Sequence, residues 1–461
     1  VKGIHEDNIR QLGEESIPKL LLTFSLPVVV ALLINALYNI IDRIFIGNGA
    51  GSLGIAGITL VFPIMLIMGA CAAMIGTGGA LLVSIKLGEK KVEEAESIIG
   101  NSLALLIILA IIITILGRSF VDPILRVFGA SSYVLPYAGD YMRVIMLGTI
   151  FQMTALGMNY FIRAEGRPRK AMLTMLIGAV INTILAPIFI FSFKWGIKGA
   201  ALATIISQAV SAAWVMGHFL GGKSYLKIRV KNIRLLIKEA ASILSIGAAS
   251  FIMQIAGCFS SIIMNKKLAY YGGDVAVSAM GASFSIFFLM ILPVLGISQG
   301  IQPIIGFNYG AQKPERIKKT IKSGIAVATI LTISGFFIIM LFPQQIMSLF
   351  NSHDEEFIAF GSYVMRFSMI ALPLLGLQII VPGYFQAVGK PKQAMFLTLS
   401  RQVFFLVPAL LILPKYFQLF GVLVAIPLSD FLASVITGIW LFVELRSLDK
   451  KQTIDIKAHT R

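Results

Sequence analysis

The sequence predicts an all-α integral membrane protein: twelve transmembrane helices in two pseudo-symmetric six-helix bundles. Three observations carry this. The 461 residues are 57% hydrophobic and only 13% charged, where soluble chains carry about 25% charged residues. Twelve apolar runs are each long enough to cross a bilayer as a helix, which takes about 20 residues. The second half of the chain repeats the first at an offset of about 222 residues.

In chain order the spans are 19–46, 54–84, 98–116, 136–162, 171–192, 198–219, 241–265, 276–307, 321–341, 359–387, 394–413 and 421–443. They are continuous apolar runs rather than alternating ones, which excludes a β-barrel reading. The first follows a polar stretch, is long and lacks a small-residue cleavage site, so it is expected to be a span and not a signal peptide. Lys and Arg crowd the loops on the N-terminal side, for example Lys86, Lys90 and Lys91, then Arg163, Arg167, Arg169 and Lys170, then Lys313, Arg316, Lys318, Lys319 and Lys322. They outnumber those of the opposite loops roughly four to one, so both termini are expected in the cytoplasm of a cell (inner) membrane protein. The net charge of +17 is read as this topology signal facing anionic lipid; no nucleic-acid partner is expected. Cys71 and Cys258, the two cysteines, sit in apolar runs. They exclude a disulfide scaffold and a Cys-rich metal site.

The repeat rests on several matches. Ala164-Glu165-Gly166-Arg167-Pro168 returns as Ala387-Val388-Gly389-Lys390-Pro391, Arg143 as Arg366, and Gly199, Ala203 and Ser207 as Gly421, Ala425 and Ser429. Six spans per half bring the chain back to its starting side, so the halves run parallel about an axis along the membrane normal. Some secondary transporters are built this way. The expected organisation is a cytoplasmic segment 1–18, a bundle 19–220, a basic linker helix 221–240 lying on the cytoplasmic face, a bundle 241–445 and a cytoplasmic tail 446–461. The linker helix is inferred from the amphipathic pattern of Ile228, Ile233, Leu235, Leu236 and Ile237.

Catalytic and metal-binding signatures are sparse. There is no Walker loop, no His-x-x-x-His pair and no nucleophile elbow, and the four histidines are scattered. The reading is therefore not an enzyme, with no cofactor and no metal site. Ionisable residues inside spans are functional candidates. Asp42 on span 1 leads them, with Tyr38 one turn away on the same face. A carboxylate in a poorly solvated cavity is suited to exchange a proton, and a structural ion pair is the other reading. Asn182 on span 5 and Thr204 on span 6 lie at compatible depth, as partners of Asp42 or as interhelical hydrogen bonds. Asp140 and Arg143 are spaced to pair with each other, and Arg401 and Asp430 across spans 11 and 12; Asp430 is a candidate second coupling site. Of the prolines inside spans, Pro27 is the kink expected to matter for gating. Met65, Met68, Met153, Phe287, Met290 and Gln254 are candidates to line a substrate cleft, since flexible Met suits varied ligands; lipid-facing or core packing is the other reading of the methionines and Phe287.

Together, Ser25-Leu26-Pro27 and Tyr38-Asn39-Ile40-Ile41-Asp42 on span 1, Arg163-Ala164-Glu165-Gly166-Arg167-Pro168 after span 4, Asn182 with Pro187 on span 5, and Trp195-Gly196-Ile197-Lys198-Gly199 at span 6 resemble the multidrug and toxic compound extrusion (MATE) transporters. The resemblance covers about residues 15–445. It implies two six-helix bundles around a V-shaped central cleft, and export of lipophilic, often cationic compounds in exchange for protons or sodium ions. It is closest to the prokaryotic branch whose coupling site lies in the N-terminal bundle. Gln254 and Gln378 stand where the other branch would be expected to carry acids. One departure matters: the family pattern Asn-x-x-x-Asp-Pro reads Asn182 through Ala186-Pro187 here, so Ala186 replaces the second carboxylate of that site. The chain is expected to act as a monomer with small lipophilic cations and membrane lipid as its partners. A flippase for lipid-linked oligosaccharides, on the same two-bundle scaffold, is the alternative.

Overall fold

The computed structural model describes residues 11–128, 132–221, 224–229, 232–349 and 355–459. Every regular element among them is helical. The bilayer core offers backbone N–H and C=O groups no water, and a helix pairs them within one segment. Side-chain hydroxyls follow the same logic. Thr77, Ser84, Ser207, Ser283 and Ser429 each donate to the carbonyl four residues back.

Among the described residues ten helices are long and apolar enough to cross a membrane, and the pair Leu135–Leu147 and Thr149–Ala164, meeting at 56°, makes an eleventh. The stretch Pro391–Arg446 is a single helix only nominally, because Gln418 breaks it at φ 47°, ψ −131°. Dividing it there gives spans 11 and 12, and the twelve helices predicted.

The repeat is written into the backbone. Left-handed residues recur in pairs: Lys90 with Gln312, Gly166 with Gly389, and Gly196 with Gln418. The first two pairs close helices in one way. Lys90 N–H donates to Leu87 O and Lys91 N–H to Lys86 O, and the same two bonds recur at Gly166 and Arg167, at Gln312 and Lys313, and at Gly389 and Lys390. This closure satisfies the last carbonyls of a helix and turns the chain sharply. Three of the four helices that follow begin with proline (Pro168, Pro314 and Pro391), where a missing N–H costs nothing. The bend after Leu147 also recurs. Span 10 passes from Glu355–Ser368 through a tight turn at Leu372–Leu374 to Leu375–Ala387.

Two compact units result, and their boundaries differ from the sequence halves. Ile237–Phe251, the start of span 7, belongs with the first unit, whereas Ser16–Ser25, the start of span 1, belongs with the second. Within the first unit, Gly247 lies against the Met74 backbone, and Gly78 against Ile243 and Gly247; within the second, Gly300 lies against Ser25. Helices approach this closely only where no Cβ intervenes.

The expected linker helix is not formed among the described residues. Residues 224–229 and 232–236 are irregular, and helix begins at Ile237. The apolar spacing does not produce a helix because distant carboxylates capture the local donors. The buried Glu165 carboxylate accepts from the Ser224 hydroxyl and, at 3.0 Å, from the Leu226 N–H. Glu96 accepts from the Lys227 N–H at 3.1 Å and pairs with Arg229 at 3.1 Å. Further on, Asn101 donates to Leu236 O at 3.1 Å. The joint is an irregular strap fastened to the first unit.

Candidate functional site

Asp42 lies in the helix Ile17–Gly88 and is 9% exposed. One turn on, Ile46 is fully buried in a cluster with Ala186 of span 5 and Ala200 and Ala203 of span 6. Phe45 meets Phe191 edge-on, with ring centroids 6.5 Å apart. The face of span 1 that carries Asp42 therefore packs toward spans 5 and 6, which themselves pack along each other.

On those spans Asn182 and Thr204 are buried and joined: Asn182 Nδ2 donates to Thr204 Oγ1 at 3.1 Å. The threonine hydroxyl donates in turn to Ala200 O at 3.1 Å. Among the described residues nothing donates to the Asn182 side-chain carbonyl. Carboxylate, amide carbonyl and hydroxyl oxygens are the ligand types that suit a proton or a hard cation. Ala186, one turn beyond Asn182, is wholly buried; its methyl supplies packing where a carboxylate would supply charge. Pro187 ends the regular helix, and a π-turn at Ile188–Ser192 follows. The side chain of Tyr38 falls outside the described residues.

The family model MatE matches residues 27–188 and again 249–411, the two copies set 222 residues apart at their start. The chain belongs to the MatE family. It is a multi-pass membrane transporter. Over 455 residues it is 28% identical to a multidrug export protein, MepA, of Staphylococcus haemolyticus (98% of this chain, 100% of that one). Among solved structures it superposes on the MATE multidrug transporter DinF-BH, solved in complex with a ligand, with a TM-score of 0.87 at 40% identity over 93% of this chain and 96% of that one. A multidrug resistance MATE family transporter in an outward-facing conformation gives a TM-score of 0.89 at 26% identity, over 95% of this chain and 98% of that one.

The remaining candidates of this MatE chain are distributed over both units. Pro27 is buried within the helix Ile17–Gly88, which continues through it. Met68 and Met153 are fully enclosed in the first unit, and Met65 packs against the same cluster as Met68. Phe287 and Met290 pack against Ile339, Met347 and Leu372 in the second unit. Gln254 is half-buried on span 7. Asp140 divides its charge between Lys198 at 3.2 Å and Arg143 at 4.0 Å, and Arg143 makes its closer pair with Asp122 at 2.9 Å. Arg366, the repeat partner of Arg143, donates to Met340 O at 3.1 Å.

A second buried polar cluster lies in the C-terminal unit. Arg401 Nε meets Asp430 Oδ1 at 2.6 Å, joining spans 11 and 12. Gln378 of span 10 donates to Asp430 O at 2.5 Å and to Ser434 Oγ at 2.6 Å. A charge pair across adjacent spans is legible in sequence. An amide that bonds a neighbouring backbone carbonyl has no sequence signature, and Gln378 reads there only as the absence of an acid. Glu165 is visible as part of a motif, yet its partner His218, at 2.9 Å with a side chain 4% exposed, is one of four scattered histidines.

Proposed function

We propose that this MatE chain is a secondary active multidrug exporter. It exchanges lipophilic, often cationic compounds for protons or sodium ions by alternating access, with the coupling ion handled around Asp42. The observation that carries this reading is a buried carboxylate on the face of span 1 that packs toward the hydrogen-bonded pair Asn182 and Thr204. Charge in the hydrocarbon region is retained where it has a function. The multidrug part is supported by the relatives, described as multidrug exporters or transporters.

In this reading Asp42 takes up a proton or cation, with the Asn182 carbonyl and Thr204 hydroxyl as neutral oxygen partners. Ion and substrate disfavour each other, and the coupling is reciprocal. Of the substrate-path candidates, Met65, Gln254, Phe287 and Met290 keep partly exposed side chains, whereas Met68 and Met153 are fully enclosed and serve as packing. The Lys and Arg bias supports the reading that both termini face the cytoplasm of a cell (inner) membrane, and in this reading the working unit is a monomer needing no cofactor beyond the coupling ion.

The test is ethidium export from inverted vesicles or proteoliposomes under an imposed pH gradient and, separately, an imposed sodium gradient. The chain as given should export under one of them and Asp42→Asn should not. Undiminished gradient-driven export by Asp42→Asn overturns the assignment of the coupling site.

A further inference from the structure

Arg401 is held unlike a structural ion pair. It offers Asp430 a single bond through Nε at 2.6 Å. A guanidinium presents five donors, and buried Arg–carboxylate pairs are usually bidentate. Among the described residues no acceptor engages either Nη group. The two partners also differ in exposure: 23% of the Arg401 side chain is exposed, against 5% for Asp430. The guanidinium carbon stands 5.8 Å from the centroid of the Phe287 ring, within reach of a cation–π contact. Arg401 sits in a π-helical stretch, Ser400–Leu406, a departure from regular helix that occurs often at functional sites.

We propose that Arg401, Asp430 and Phe287 form an anion-receiving subsite in the C-terminal unit. It takes the carboxylate of an amphiphilic compound, with the compound's apolar body against Phe287. The two Nη groups give the ligand carboxylate the bidentate geometry that Asp430 leaves unused. Asp430 is the internal counter-charge that holds the guanidinium in place and competes with the ligand for it. A transporter with this subsite accepts acidic or zwitterionic amphiphiles besides the lipophilic cations of the export reading, so the inference goes beyond that reading. Its test requires binding alone.

The probe is radiolabelled pyrenebutyrate, with pyrenebutyrate methyl ester as the uncharged control, bound to the full chain in lipid nanodiscs and read by scintillation proximity. Arg401→Gln should weaken the acid by at least tenfold and leave the ester unchanged. Asp430→Asn should tighten the acid severalfold, because the competing carboxylate is gone. The pair is internal to the unit, and either single variant leaves one buried charge alone. The double variant Arg401→Gln/Asp430→Asn, which buries no unpaired charge, therefore decides the matter if a single variant does not fold. It should melt near the parent and bind the acid no better than the ester. Acid binding by the double variant equal to the parent's overturns the proposal, as does weaker acid binding by a folded Asp430→Asn.

Discussion

Gly78 of span 2 lies against Gly247 of span 7, so close that a Cβ on Gly78 would stand 2.9 Å from the Gly247 nitrogen. The repeat carries Gly78 onto Gly300 and Gly247 onto Ser25, which are also in contact. Alanine at Gly78 or Gly247 should therefore cost about 1–3 kcal/mol, the usual penalty for overpacking. A helical glycine with open surroundings, Gly217, is the control, and there alanine should be neutral or slightly stabilising. Melting of the purified variants checks this. Equal melting temperatures for Gly78→Ala and Gly217→Ala would remove the argument from close approach.

Asn182 and Thr204 distinguish a structural from a functional hydrogen bond. Interhelical hydrogen bonds in membrane proteins are worth about 0.6 kcal/mol on average, so Asn182→Ala should barely change melting. If the Asn182 carbonyl serves the ion at Asp42, gradient-driven ethidium export should nevertheless fall by an order of magnitude or more. Thr183→Ala removes a hydroxyl that bonds only its own helix, at Ala179 O, 2.8 Å away, and should leave export intact. Parallel loss in both variants would point to general damage to span 5.

The strap, residues 224–229 and 232–236, gives a proteolytic prediction. Glu165 fastens Ser224 and Leu226, and Glu96 fastens Lys227 and Arg229. Glu165→Ala leaves those donors without their acceptor, at about 1–3 kcal/mol for a buried group. Trypsin should then cut at Lys227 and Arg229 and separate the chain into its two halves faster than in the parent. An unchanged cleavage rate would mean that the carboxylate does not hold the strap.

How much of this is legible in the sequence follows residue by residue. Asp42 announces itself as a charge in an apolar run, and the repeat as Ala164–Pro168 returning at Ala387–Pro391. Both are local patterns, and composition constrains them strongly in a membrane. The strap reads as a helix in sequence because Glu165 and Glu96 act on it from about 60 and 130 residues away in the chain, beyond any periodicity. The crossed membership of Ser16–Ser25 and Ile237–Phe251 is hidden for a similar reason. Glycines inside spans are common, and their partners are fixed only by packing.

Glu89, in the loop after span 2, predicts a small acid-range effect. Partial burial works against its charge, but hydrogen bonds and attraction from Lys86 and Lys91 outweigh this and hold its carboxyl below the usual glutamate range. A lowered folded value means that the contribution to stability is present above the unfolded value, about pH 4, and is lost as pH falls through the folded one. For so exposed a pair it should be under about 1 kcal/mol. Glu89→Gln should flatten that part of the melting-versus-pH curve, lower stability at neutral pH by the same small amount, and change nothing below the acid transition.

Ala186 is the sharpest test of the coupling site. It is wholly buried in the cluster that holds Ile46, one turn from Asp42, at the position where the family pattern has a second carboxylate. Two carboxylates in one poorly solvated site do not both ionise readily and tend to share a proton. Ala186→Asp should therefore give stronger pH-gradient-driven ethidium export with a steeper pH dependence. The added bulk and charge in a packed site should lower the melting temperature by a few degrees. The double variant Asp42→Asn/Ala186→Asp separates the two contributions, and export restored there would make the span 5 carboxylate sufficient by itself. A folded Ala186→Asp chain whose export follows pH as the parent's does would show that the family's second acid has no role on this scaffold.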